Sequence, residues 1–88
     1  MTITQIARHI EAQQRPFYVR QIKGVAGEPK QYDITAVNGF QRRGWTLIDM
    51  QIAAAIMAVH RGLRDDLRPK LDTIPLAQLV SFCWRVAA

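Results

Sequence analysis

Apolar residues in the first segment fall at Ile3, Ile6, Ala7 and Ile10, the recurrence of one helix face, with Gln5, Arg8, His9, Glu11 and Gln13 on the remainder. Thr2 followed three positions later by Gln5 has the spacing of a capping box, in which each side chain satisfies the other's backbone N–H. Pro16 closes the segment, because the residue before a proline is pushed out of the helical region. The pattern then turns to that of a strand. Residues 17–22, Phe-Tyr-Val-Arg-Gln-Ile, are aromatic and β-branched, and Gly24, Gly27 and Pro29 predict a loop after them.

Residues 32–37 predict a second strand and residues 40–48 a third, joined at Asn38-Gly39, since a type I′ turn needs positive φ at both central positions. Pairing Val37 with Phe40 places Tyr32, Ile34, Ala36, Trp45 and Leu47 on one face. Gln31, Asp33, Thr35, Arg42 and Thr46 then fall on the other, with Asp33 diagonal to Arg42. The sorting is imperfect beside the turn, where Gln41 and Arg43 fall on the apolar face and Val37 and Phe40 on the polar one.

Beyond Trp45 the helical period returns, with Ile48, Ile52, Ala55, Ile56, Val59 and Leu63 on one stripe of a helix expected over 49–61. Met50, Ala54, Met57 and Ala58 make most of its circumference apolar, so it is the central core helix or packs a second surface. Gly62 suits its end, and His60 and Arg61 complement its dipole there. Residues 65–70 read as a connector. A last helix follows Asp72-Thr73, either of which suits its cap, with Pro75 in its first turn and Leu76, Leu79, Val80, Cys83 and Val86 as its buried stripe. The expected fold is α+β: one domain over 1–88, made of a helix, a three-stranded antiparallel sheet and two C-terminal helices.

Residues 4–13, 18–26 and 32–43 also admit three helices, with Val19, Ile22 and Val25 buried and Ile34, Val37 and Phe40 on the inner face of the third. This alternative, a mostly helical domain, resembles a helix-turn-helix module and presents Thr35, Asn38 and Arg42 to a major groove. Against it, Gly39 inside that helix costs about 1 kcal/mol relative to alanine. The succession helix, three strands, helix over residues 2–62 in turn resembles the layout of double-stranded-RNA-binding domains. That family places a basic cluster at the start of the helix after its third strand to grip phosphates. This chain has Asp49-Met50-Gln51 there, so the likeness is of topology and carries no RNA-binding residue with it.

Composition narrows the function classes. At 88 residues, with 49% apolar and 22% charged positions, the chain has material for one core and none of the signature of disorder. Its longest apolar run, 52–59, is eight residues, against the roughly 20 needed to cross a bilayer. The amino-terminal residues lack the pattern of a secretory signal, and the single Cys83 offers no intramolecular disulfide; both fit a soluble, cytoplasmic protein. Residues 1–44 carry seven basic and three acidic side chains, net +4, whereas 45–88 carry net +1, so an anionic partner is expected to meet the first half.

Catalytic chemistry finds no assembly of residues. His9 and His60 sit on separate helices, Cys83 lies in the apolar stripe of a third, and Asp65-Asp66 has no further carboxylate or histidine nearby. The glycines match neither a P-loop nor a dinucleotide fingerprint. No enzyme, no metal and no cofactor is expected. The most function-like feature is basic: Arg20, Lys23, Lys30, Arg42 and Arg43, together with Arg15, interleave with Phe17, Tyr18, Tyr32, Phe40 and Trp45 as phosphate contacts and stacking platforms for DNA or RNA. The bland counterpart is that the aromatics are core and the cations a solvated face. The alternative function is a regulatory adaptor or inhibitor that occupies another protein's surface through Met50, Ala54 and Met57, since methionine suits adaptable contacts. The same leftover stripe predicts a homodimer, unless the terminal helix covers it and the protein is a monomer.

Overall fold

Thr2 opens the first helix as its spacing from Gln5 predicts: its hydroxyl accepts from the Gln5 N–H at 3.3 Å, and its own N–H donates to Gln5 Oε1 at 2.9 Å. The structure is a computed structural model that describes residues 1–22, 24, 27–37 and 43–87, apart from the side chains of 86 and 87. In chain order it contains α1 (Ile3–Gln13), β1 (Phe17–Gln21), β2 (Tyr32–Ala36), β3 (Thr46–Ile48), α2 (Met50–Gly62), α3 (Arg68–Leu71) and α4 (Leu76–Ala87). This is the expected α+β arrangement of helix, three-stranded antiparallel sheet and following helices. Strands at 17–21 and 32–36 exclude the helix-turn-helix alternative.

Helix α1 stops before Pro16. Gln14 caps it in the left-handed region (φ 56°) and donates its N–H to the Ile10 carbonyl at 2.8 Å. A side chain at positive φ meets steric resistance that glycine avoids. The Gln14→Gly variant is therefore expected to be more stable by about 0.5–1 kcal/mol, measured by urea unfolding. An unchanged or lowered midpoint would contradict this account of the cap.

The sheet order corrects the expected hairpin. Strand β1 lies in the centre, antiparallel to β2 on one side and to β3 on the other, so β2 and β3 are not neighbours. Phe17, Tyr18 and Val19 are all buried, and both backbone edges of β1 are hydrogen-bonded, to β2 over its whole length and to β3 over Phe17–Val19. Asn38-Gly39 lies outside the described residues. Asp33 pairs with Arg20, Arg42 lies outside the described residues, and among the described residues the third strand covers 46–48. Pairing with β1 also changes its facing: Ile48, opposite Phe17, points into the core, while Leu47, opposite Tyr18, points out and is 45% exposed. The Tyr32 N–H donates to the Met1 carbonyl at 2.8 Å, so the first residue lies along the free edge of β2.

One cluster of buried side chains joins the helices to the inner face of the sheet, with Ile3, Ile6 and Ile10 from α1, Val19, Tyr32 and Ile48 from the sheet, Ile56 from α2, Leu71 from α3, and Leu79 and Cys83 from α4. Helix α2 packs against α1 on one flank and α4 on another. It therefore buries Ala53, Ala55, Ile56, Met57 and Val59, a wider arc than its predicted stripe. The 65–70 connector folds in part into α3, with Pro69 at its start. Asp72 does not cap the last helix. Its carboxylate accepts from the Thr4 hydroxyl at 2.7 Å and the Thr4 N–H at 3.1 Å, and so satisfies one of the open N–H groups at the start of α1. The Tyr32 hydroxyl is buried without a hydrogen-bond partner among the described residues, and burial, with the charge of Asp72, pushes its phenol up.

Candidate functional site

Alternation along β1 sends Phe17 and Val19 to the helices and Tyr18 and Arg20 to the opposite face, where the cross-strand partners are Thr35, Asp33 and Leu47. The β1–β2 ladder continues one step, with the Ile22 N–H donating to the Gln31 carbonyl at 2.9 Å, which adds 41%-exposed Ile22 to this outer face. At its centre the Arg20 guanidinium lies 4.6 Å from the centroid of the Trp45 ring and 3.1 Å from Asp33 Oδ2. Both partners of that ion pair are about half exposed, so it adds little stability. Its consequence is positional: Asp33 and Trp45 hold the cation in one place over an aromatic face. Leu47 and Ile22 flank it with exposed apolar surface. Tyr18 is nine-tenths buried.

The expected basic residues divide. Arg20 stands on the outer face, and Arg43 is exposed two positions before Trp45. Lys30 lies apart: its N–H donates to the Asp72 carbonyl at 2.8 Å, which sets it beside the link between α3 and α4. Lys23 and Arg42 lie outside the described residues, as does Phe40. Among the proposed stacking aromatics, Phe17 and Tyr32 belong to the core, while Trp45 is half-buried beneath Arg20. Arg15 lies over the edge of that core, 5.4 Å from the Phe17 centroid.

Among the expected protein-contact residues, Met50 is 44% exposed and Ala54 is exposed, but Met57 is packed in the core. The flank of α2 that the sequence left open is closed by neighbouring helices, so Met57 is no part of an exposed stripe. A groove of about 680 Å³ runs instead between the β3 edge and the start of α4, lined by Val19, Leu47, Ile52, Leu76 and Val80 among others. No spacing in the sequence identifies it, because its walls come from elements far apart in the chain.

The described residues contain no group of three or more His, Cys, Asp or Glu side chains placed to hold a metal ion. Cys83 is buried and its thiol is pushed up by burial, the opposite of an activated nucleophile. No described helix is long and apolar enough to cross a membrane. The chain matches no protein-family model, no curated protein and no solved structure.

Proposed function

We propose that this protein is a non-catalytic nucleic-acid-binding protein that meets its partner with the outer face of its sheet, the Arg20 cation held over Trp45 being the observation that carries this reading. A guanidinium fixed beside an aromatic ring offers phosphate contact and base stacking at one point, and exposed Leu47 and Ile22 extend the platform for further bases. Exposed Arg43 adds charge next to it, and the net charge of +5 favours a polyanion. Because the platform is a sheet face, single strands with accessible bases suit it better than a duplex.

Titration of labelled single-stranded and duplex oligonucleotides at two salt concentrations tests this. Affinity is expected to fall steeply with salt. Trp45→Ala is expected to weaken single-strand binding by about tenfold, since stacking contributes about 1–3 kcal/mol per base. Asp33→Asn removes the competing carboxylate and is expected to tighten binding. Absence of binding at low salt overturns the proposal. A protein partner is the second reading, favoured by the apolar groove beside β3. Retention of a protein from lysate after nuclease treatment, with no salt-sensitive binding of either strand, transfers the function to that groove.

A further inference from the structure

On the helical side of the molecule, a groove of about 390 Å³ between α1 and the end of α2 is lined by Arg8, Glu11, Met57, His60, Arg61 and Arg68. A second groove of about 370 Å³ shares Arg8, His60 and Arg68 as its wall. The cations in the first groove are differently committed. Arg68 is immobilised: Nε donates to the His60 and Leu63 carbonyls at 3.0 and 3.1 Å, Nη2 to the Arg61 carbonyl at 3.3 Å, and Nη1 to Asp65 at 2.8 Å. It closes the open carbonyl end of α2 and contributes charge to the groove, with few donors to spare. Arg61 has a long, exposed ion pair with Glu11 at 3.6 Å. The Arg8 guanidinium and the His60 imidazole have no hydrogen-bond or ion-pair partner among the described residues.

The geometry points to an oxyanion site in this groove, in which Arg8 and His60 hold a doubly charged phosphate, free or as a monoester, with Arg61 turning from Glu11 to join them. Two helices packed together present the donors, so little order is lost on binding, and an arginine fork with a protonated imidazole matches the oxygens of a dianion. The field in the free protein agrees. His60 titrates below the usual histidine range, through desolvation first and then the charges of Arg8, Arg68 and Arg61, opposed by Asp72. Glu11 from α1 and Asp65 before α3 are the other charged groups lining these two grooves, and each is engaged by an arginine. In the free protein the folded state thus resists protonation of His60. That contribution to stability is full above the ordinary histidine value and declines as pH falls through the lowered one. A bound dianion reverses the balance and draws a proton onto the imidazole, so binding strengthens as pH falls.

Sulfate keeps its charge across this range and is the probe for the proton linkage, read by NMR titration of the His60 imidazole with His9 as internal control. At constant ionic strength, sulfate is expected to raise the His60 midpoint, leave His9 unchanged, and bind several-fold tighter at pH 5.5 than at pH 7.5. Arg8 is exposed, so Arg8→Ala is expected to fold, to lose at least about tenfold in sulfate affinity, and to bind oligonucleotides through the sheet as before. Inorganic phosphate and a nucleoside 5′-monophosphate form the two arms that separate the sources, and tighter binding of either supports the site and names its ligand. Equal shifts in chloride, wild-type affinity in Arg8→Ala, or equal binding of a singly charged phosphodiester overturns it.

Discussion

Replacing Ile56 with alanine is expected to cost about 3–4 kcal/mol, the largest loss of any single truncation in α2. Ile56 is fully buried on a helix flanked by α1 and α4, within the cluster that also holds Val19 and Ile48 of the sheet. Truncation removes three carbons from the point where these layers meet, and rigid neighbours on several sides collapse poorly into the cavity. For an 88-residue chain, total stability on the order of 4–13 kcal/mol makes this a large fraction of the whole. Ala54→Ser, on the exposed face of the same helix, serves as the comparison and is expected to stay within about 0.5 kcal/mol of wild type. Urea unfolding of both variants measures the difference. An Ile56→Ala loss below about 1 kcal/mol would place the centre of the core elsewhere.

Asp72→Ala is expected to cost about 2–3 kcal/mol, more than a half-exposed carboxylate usually contributes. One of its oxygens accepts both the hydroxyl and the N–H of Thr4, 68 positions away in sequence. Thr4 is 5% exposed, so losing the acceptor strands two donors where water reaches them poorly. The carboxylate also sits at the positive end of α1, where a negative charge is favourable. Asp72→Asn keeps an acceptor and loses the charge, and is expected to cost about half as much. Thr4→Val removes the hydroxyl alone. The double variant Thr4→Val with Asp72→Ala should be less damaging than the sum of the singles by about 1 kcal/mol. Additive losses would show that the two side chains do not act on each other.

These two residues mark the limit of what periodicity reveals. Ile56 stands on the stripe that the helical recurrence picks out, and its burial was legible in the sequence. Asp72 was legible only as a local cap, because an aspartate before a proline-led helix is most simply read as serving its own segment. Its actual partner depends on α3 bringing the 72 backbone beside the first turn of α1, where the Lys30 N–H also meets the Asp72 carbonyl.

The sequence alone determined the elements that rest on local forces. Thr2 and Gln5 set the start of α1, Asp49 caps α2 by accepting the Ile52 N–H at 2.8 Å, and the changes of period separate strands from helices. Strand order was a different matter. Asn38-Gly39 is a local preference of the chain, and it argued for joining the second and third strands; in the assembled sheet β1 takes the centre instead, with the backbone of β2 paired to one edge and that of β3 to the other. That pairing is a property of the assembled sheet and also reversed the facing of Leu47 and Ile48, while the packing of α2 between α1 and α4 enclosed Met57. Arg20 was among the cations expected to matter, but its place over Trp45 and beside Asp33 depends on the register of a sheet. Arg8 and His60 share a groove only because α1 and α2 pack together. Local propensity acts over a few residues, and a charged site of this kind gathers groups that sequence separates by tens. Its members become neighbours only once the core has formed.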